Sequence, residues 1–185
     1  MFYIDIGAND PKKFNNTYRF YQRGWTGINI EPNPALFERI CEFRQTDINI
    51  NLGIGSDSGH LPFYVINPDT LSTFNKDVAD KAVSDGFYLV DTIPIVLTRL
   101  DILLKDYQYV ENIDFLSLDV EGFELSVLRS NDWNLFRPNF VLIEVNRAKQ
   151  EIQDFFEKTG YSNVFENGTN AIYHDSNLIS HDIFK

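Results

Sequence analysis

The hydrophobic residues of this chain fall into short runs rich in β-branched and aromatic side chains. Each run has the length of one strand and is apolar on both faces, which is typical of strands buried on both sides. We place strands or extended segments at residues 2–6, 25–30, 48–54, 61–66, 92–97, 113–118 and 140–145. Helical patterns separate several of these runs, and this alternation predicts an α/β fold with a mostly parallel sheet.

The helix signals are clearest where capping residues stand at the ends of a pattern. Asn33 can cap a helix that begins at Pro34, and Gly160 can end a later helix. Segment 67–91 shows no clear pattern. Further helices are expected at residues 15–22, 100–107 and 123–129.

The C-terminal part predicts a hairpin. Asn167-Gly168 separates apolar runs at 161–165 and 171–173, and this dipeptide favours a tight turn between antiparallel strands. The chain contains no repeat, linker or shift in composition. We therefore expect residues 1–185 to form a single domain that carries an antiparallel hairpin at one edge of its sheet.

Composition narrows the classes of function. The 16 Lys and Arg residues against 27 Asp and Glu give a net charge of −11, which disfavours nucleic acids and anionic membranes as partners. No apolar run is long enough to span a membrane, and no signal peptide is evident. Cys41 is the single cysteine, so no internal disulfide can form and no zinc-ligand cluster is recognisable. A cytoplasmic location is expected.

Acidic or polar residues stand where the buried runs end. Each one alone could be a helix cap or a solvated turn. Together they predict a ligand site, because ligands of parallel sheets bind beyond the carboxyl ends of the strands. The residues concerned are Asp5, Glu31, Ser56, Asp57, Asp119, Glu121 and Glu144.

The first two strand ends favour a nucleoside ligand with a cationic end. The turn Asp5-Ile6-Gly7-Ala8-Asn9 has one glycine and lacks the spacing of a dinucleotide-binding loop. An acid there would repel a pyrophosphate but attract an ammonium or sulfonium group. Glu31 stands 26 residues after Asp5, at the end of the second strand. An acidic side chain there can accept hydrogen bonds from two ribose hydroxyls. NAD and FAD fit less well.

A second acidic pair follows the strand at 113–118. Asp119 and Glu121 could hold a substrate hydroxyl or act as a general base, with Glu144 as the next choice. Glu121 could instead only complement a helix dipole. The chain has no phosphate-binding P-loop, serine nucleophile elbow or His-Glu-x-x-His zinc motif, so phosphoryl transfer, serine hydrolysis and zinc proteolysis are disfavoured.

Over residues 2 to about 175 the sequence resembles the FkbM-type family of S-adenosylmethionine-dependent methyltransferases. The resemblance rests on FYIDIGAND, GWTGINIEPNP, DININLGIGSDSGHLPFY, IDFLSLDVEGFELSVLRSNDW and RPNFVLIEVN. It implies a Rossmann-like class I methyltransferase sandwich whose last strand is antiparallel. It also implies that Asp119 and Glu121 face the transferred methyl group. The residues expected around the cofactor are Asp5, Gly7, Ala8, Asn9, Glu31, Ser56 and Asp57.

The resemblance predicts an O-methyltransferase that acts on a sugar or another small-molecule hydroxyl, as in glycan, lipopolysaccharide or natural-product biosynthesis. S-adenosylmethionine would be the cofactor and S-adenosylhomocysteine the product. The chemistry requires no metal, although clustered carboxylates could bind Mg²⁺ weakly. The alternatives are a non-catalytic nucleoside-binding module or partner subunit with the same fold and, less favoured, an NAD-dependent oxidoreductase. The oligomeric state is not predicted.

Two departures from the family pattern affect these expectations. Asp10-Pro11 stands where many relatives have a glycine, so the methionine end of the cofactor could be held differently. The sequence also begins directly at its first strand, without the helix that often precedes it in methyltransferases. We therefore expect that such a covering segment has been removed or is supplied in another way.

Overall fold

The apolar runs form ten strands and six helices in residues 1–107 and 112–178, the part of the chain that this computed structural model describes. The strands are β1 (Phe2–Ile6), β2 (Thr26–Ile30), β3 (Ile48–Ile50), β4 (Gly53–Ile54), β5 (Gly59–Asn67), β6 (Tyr88–Thr98), β7 (Phe115–Leu118), β8 (Phe140–Glu144), β9 (Tyr161–Glu166) and β10 (Asn170–Asp175). The helices are α1 (Tyr18–Tyr21), α2 (Pro34–Phe43), α3 (Lys76–Ser84), α4 (Leu100–Lys105), α5 (Glu124–Arg129) and α6 (Lys149–Thr159). None of the helices in these residues is long and apolar enough to cross a membrane.

Seven strands form the main sheet in the order β3-β2-β1-β7-β8-β10-β9. The first five strands of this order are parallel to one another, and β10 is antiparallel to both β8 and β9. The predicted α/β fold with a C-terminal antiparallel hairpin is confirmed. Because β1 pairs with β2 on one side and β7 on the other, the chain changes direction across the sheet at β1. This switch point is where parallel sheets bind ligands.

The central strands are buried on both faces, as their continuous apolar runs predict. Ile4 and Ile28 of β1 and β2 are fully buried, as is Val141 of β8. The predicted helix boundaries are also confirmed at two capping residues. The side chain of Asn33 accepts a hydrogen bond from the Ala35 N–H at 3.1 Å, and Gly160 takes a left-handed conformation at the end of α6.

The predicted strand at 48–54 is broken in two. β3 joins the main sheet, whereas β4 pairs with β6 in a second sheet of order β4-β6-β5. Asn51 explains the break, because its side-chain amide donates to the carbonyls of Glu31 at 2.7 Å and Pro32 at 3.0 Å. These bonds turn the chain away from the main sheet at the edge where the ligand site is expected.

Two further segments differ from the pattern. Segment 67–91 contains a short 3₁₀ turn at Asp69–Leu71 and then α3, whose first turn is capped by the side chain of Asn75. The helix expected at 15–22 is only the four residues of α1. It is short because the side chains of Asn15 and Thr17 are held in a buried hydrogen-bond network described below.

Candidate active site

A cleft of about 930 Å³, including the part open to solvent, lies beyond the carboxyl ends of β1, β2 and β7. Clefts at this position of a parallel sheet are common sites for small molecules and cofactors. The cleft collects most of the residues that the sequence singles out. Its lining includes Asp5, Gly7, Ala8, Asn9, Glu31, Asp119 and Glu121.

The turn after β1 joins the two halves of the cleft. Gly7 has a positive φ of 80°, and a β-carbon at this position would lie 2.0 Å from the carbonyl oxygen of Asp119. The amides of Gly7 and Ala8 both donate to the carbonyl of Ile30, at 3.0 and 3.2 Å. Only glycine permits this close approach, which places the end of β1 against the ends of both neighbouring strands.

Glu31 is a buried carboxylate at the end of β2. One oxygen accepts a hydrogen bond from the Asn9 N–H and the other from the Asn33 N–H, both at 2.8 Å. Burial, against the opposing effect of the two N–H donors, raises the pKa of Glu31 to about 7, and the charges of Asp5 and Asp69 contribute to this rise. Each oxygen keeps a second lone pair, and the side chain lines the cleft, so the group can accept hydrogen bonds from two adjacent hydroxyls.

Asp5 is likewise buried and already bonded within the protein. It accepts hydrogen bonds from the Thr17 hydroxyl at 2.8 Å and the Asn15 amide at 3.2 Å. Burial raises its pKa, against the opposing effect of these donors. The Asn15 amide also donates to the carbonyl of Ala8 at 2.8 Å. Asp5 therefore fixes the loop that follows the β1 turn.

Arg44, at the end of α2, is a buried residue that the sequence pattern does not single out. The guanidinium donates to the Thr17 hydroxyl at 2.9 Å and to the carbonyl of Pro11 at 3.0 Å. It also donates to the Tyr3 hydroxyl at 2.9 Å and lies 3.6 Å from the carboxylate of Asp47. The side chain of Arg44 is fully buried. Its contacts connect the loop that follows the β1 turn to Tyr3 of β1 and to Asp47.

Asp119, Glu121 and Glu144 lie together on the other side of β1 and form what we call the acidic cluster. One carboxylate oxygen from each lies within 4.8 Å of the other two. Desolvation, followed by the charges of Glu121 and Glu124, raises the pKa of Asp119 to about 7, although its side chain is exposed to the cleft. Desolvation followed by the charge of Glu121 raises the pKa of Glu144 to about 8.

Arg147 is the cation that faces the acidic cluster within the described residues, and the sequence pattern does not single it out either. Its Nη1 atom lies 2.8 Å from Glu121 Oε2 and 4.0 Å from Glu144 Oε2. One guanidinium therefore stands against three carboxylates.

Backbone strain is concentrated at the cleft. In the described residues the non-glycine positions with positive φ are Asn9 at 50°, Phe14 at 57° and Glu121 at 50°, and all three line the cleft. Such conformations are costly for non-glycine residues and often occur at functional sites.

Ser56 and Asp57 differ from the other predicted residues, because the described lining of the cleft does not include them. The Ser56 N–H donates to the Ser126 hydroxyl at 3.0 Å, and its carbonyl accepts from Arg99 at 3.0 Å. These bonds hold the turn after β4 against α5 and against the start of α4. Contact of Ser56 and Asp57 with a cofactor stays a prediction from the sequence.

The fold is that of a Rossmann-like methyltransferase. Residues 5–163 match the family model described as the methyltransferase FkbM domain, and the chain belongs to this family. The family implies S-adenosylmethionine as the cofactor.

The chain is similar to two solved structures. A TehB-like SAM-dependent methyltransferase from Corynebacterium glutamicum is 9% identical with a TM-score of 0.48, over 94% of this chain and 79% of that one. The methyltransferase domain of bacterial CtHen1-CN is 11% identical with a TM-score of 0.44, over 92% of this chain and 87% of that one. No curated protein matches the sequence at a significant level.

Proposed function

We propose that this protein is an O-methyltransferase that methylates a hydroxyl group of a sugar or another small molecule. The main support for the proposal is that carboxylates line both sides of a single cleft. Glu31 lies on one side of the Gly7 turn, and Asp119 and Glu121 lie on the other. A cofactor and an acceptor hydroxyl can therefore be held side by side.

The β1 and β2 side of the cleft is assigned to the cofactor. The lone pairs of Glu31 that remain suit the two hydroxyls of a ribose, and the acidic turn from Asp5 to Asn9 suits a cationic amino-acid end. Leu36, Ile54 and Phe74 give the cleft apolar walls against which a base can pack. When bound, S-adenosylmethionine supplies a methyl group that is already activated on a sulfonium.

The β7 side is assigned to the acceptor. Asp119 is exposed to the cleft, carries no hydrogen bond to its carboxylate within the described residues, and can accept the proton of the acceptor hydroxyl. Glu121 is paired with Arg147 and is better suited to orient the acceptor. Holding the hydroxyl in line with the methyl group contributes the rest of the rate through proximity.

The charge of the site favours a neutral acceptor. The acidic cluster and the net charge of −11 would repel phosphorylated or sulfated substrates. Phe14 lines the cleft and is 86% exposed, so an aromatic face is present for the apolar side of a sugar ring. Neutral saccharides and polyhydroxylated natural products are the preferred acceptor classes.

Transfer of a labelled methyl group from S-adenosylmethionine to a panel of neutral saccharides and small-molecule alcohols tests the proposal. We expect label in at least one hydroxyl-bearing acceptor and an equal amount of S-adenosylhomocysteine. Label on nitrogen or carbon would contradict O-methylation.

A binding measurement without acceptor separates catalysis from simple binding. At a hundredfold excess over its dissociation constant, S-adenosylhomocysteine should stabilise the fold by about 2.7 kcal/mol and raise Tm by about 5–10 °C. A shift in Tm without transfer to any acceptor would favour a nucleoside-binding module. The absence of any shift at millimolar ligand would contradict the cofactor assignment.

A further inference from the structure

The acidic cluster has the donor geometry of a cation site. Its members come from the turn after β7 and from the end of β8, so three separate carboxylates converge on one point rather than follow one another on an exposed helix. Their oxygens lie within 4.8 Å of one another. Carboxylate oxygens are the preferred ligands of Mg²⁺ and related hard cations.

The charges around the cluster are not balanced by protein groups. Arg147 approaches Glu121 and, more distantly, Glu144. Glu124 adds a further acid nearby, with one oxygen engaged by the Gly122 N–H at 2.9 Å. When ionised, the three cluster carboxylates carry three negative charges against one positive charge, which leaves room for a divalent cation.

An independent observation comes from one buried atom. Glu144 is only 9% exposed, and its Oε2 atom has no hydrogen-bond partner among the described residues. The other oxygen accepts from the Asn146 side-chain amide, so the carboxylate is held in place, and one of its oxygens lies within 4.8 Å of an oxygen of Asp119 and of Glu121. Arg147 Nη1 lies 4.0 Å from this oxygen, too far for a hydrogen bond, and a buried carboxylate oxygen without a hydrogen-bond donor is costly and indicates a missing ion or water.

We propose that the acidic cluster binds one Mg²⁺ ion through one carboxylate oxygen each of Glu144, Asp119 and Glu121. Mg²⁺ usually keeps several waters, so three carboxylates leave open positions. Because the cluster borders the cleft, one of these positions is available to an acceptor hydroxyl. This last role rests on the O-methyltransferase proposal, whereas the binding of the ion does not.

A Mn²⁺ titration followed by electron paramagnetic resonance tests the site without cofactor or acceptor. Bound Mn²⁺ loses the sharp signal of the free ion, and Mg²⁺ should displace it. We expect one Mn²⁺ per chain for the natural protein and at least about tenfold weaker binding for Glu144→Gln. The matched control is Glu151→Gln on the exposed surface of α6, which should bind Mn²⁺ as the natural protein does.

The outcomes separate the two proposals. No Mn²⁺ binding at millimolar concentration, or equal binding by Glu144→Gln, would overturn the cation site, and the labelled-methyl assay would still decide O-methylation. Displacement of Mn²⁺ by Mg²⁺ together with weakened binding by the variant supports the site even if no acceptor is found. Asp119→Asn provides the same test should Glu144→Gln fail to fold, because Asp119 is exposed to the cleft.

Discussion

The carboxylates on the two sides of β1 have opposite surroundings. On the β2 side, Glu31 accepts two backbone N–H groups and Asp5 accepts two side-chain donors. On the β7 side, Asp119 and Glu144 face other acids more than they face donors. Both sides use the same residue types at the same edge of one sheet.

The difference indicates how each side serves the reaction. The β2 side is arranged before any ligand arrives, because donors from the protein fix its carboxylates and leave lone pairs free. The β7 side holds carboxylates that repel one another, so a cation or a donor from the acceptor would stabilise it. We therefore propose that the carboxylates of the cofactor side keep their arrangement without a ligand. Those of the acceptor side would be stabilised only when a ligand binds.

The largest effect is expected on turnover at the β7 side. Asp119→Asn keeps the shape of the side chain but removes its basic oxygen, so the rate should fall by about 10²–10⁴-fold. Affinity for S-adenosylhomocysteine should change little. Single-turnover methyl transfer, with Mg²⁺ present, and calorimetric binding are measured on the same preparation. A parallel loss of affinity and Tm would indicate a structural role for Asp119. It would also contradict the proposed difference between the β2 and β7 sides.

The next prediction tests whether the buried Arg44 network stabilises the β2 side of the cleft. Arg44→Ala leaves Asp47 as a buried charge without its ion-pair partner and should lower the free energy of unfolding by about 3–5 kcal/mol. Urea denaturation measures this loss. Arg39→Ala is the control, since Arg39 pairs with Asp10 at the surface and should cost at most about 1 kcal/mol. Equal losses for both variants would contradict the role of the Arg44 network.

Loss of the Glu31 carboxylate should weaken cofactor binding directly. Glu31→Ala removes charge-assisted hydrogen bonds that each contribute about 1.5–3 kcal/mol, so affinity for S-adenosylhomocysteine should fall at least about tenfold. Isothermal calorimetry gives the affinity, and Glu151→Gln serves again as the neutral control. An unchanged dissociation constant would remove Glu31 from the cofactor site.

The pH dependence of cofactor binding is the smallest expected effect. With the pKa of Glu31 at about 7, its ionised fraction rises from about one tenth at pH 6 to about nine tenths at pH 8. Affinity for S-adenosylhomocysteine should therefore rise by up to about tenfold over this range. Asp5 and Asp69 are the acids that face Glu31. We expect the rise in affinity with pH to be lost in Glu31→Gln, because neither of these two acids should produce it.

The stability of the free protein should change in the opposite direction. Folding raises the pKa of Glu31 above its usual value, so its contribution to stability is lost as pH rises toward 7. Glu31→Gln should then melt above the natural protein at pH 8. A pH-independent affinity, or a lower Tm of the variant at pH 8, would contradict this assignment.

The parts of the fold that could be predicted depend on neighbouring residues. The apolar runs gave the central strands, and Asn33 before Pro34 gave the start of α2, because a cap and its helix are adjacent in sequence. The strand ends could be predicted for the same reason, and Asp5 and Glu31 accordingly line the cleft.

The parts that could not be predicted depend on contacts between distant residues. Arg44 bonds Pro11 and Thr17, at separations of 33 and 27 residues, and an arginine at a helix end ordinarily suggests a surface position. Arg147 reaches Glu121 across 26 residues. The break at Asn51 likewise depends on carbonyls about 20 residues earlier, which no local pattern reveals.

The glycine at position 7 has a consequence for how this enzyme can diversify. A β-carbon there would collide with the carbonyl of Asp119, so the nearness of the two halves is set by backbone atoms alone. Side chains at the rim, such as Phe14, can change through mutation without altering that spacing. The proposed function then predicts that new acceptors are acquired by exchanging rim residues, whereas a side chain at position 7 would push the end of β1 away from Asp119.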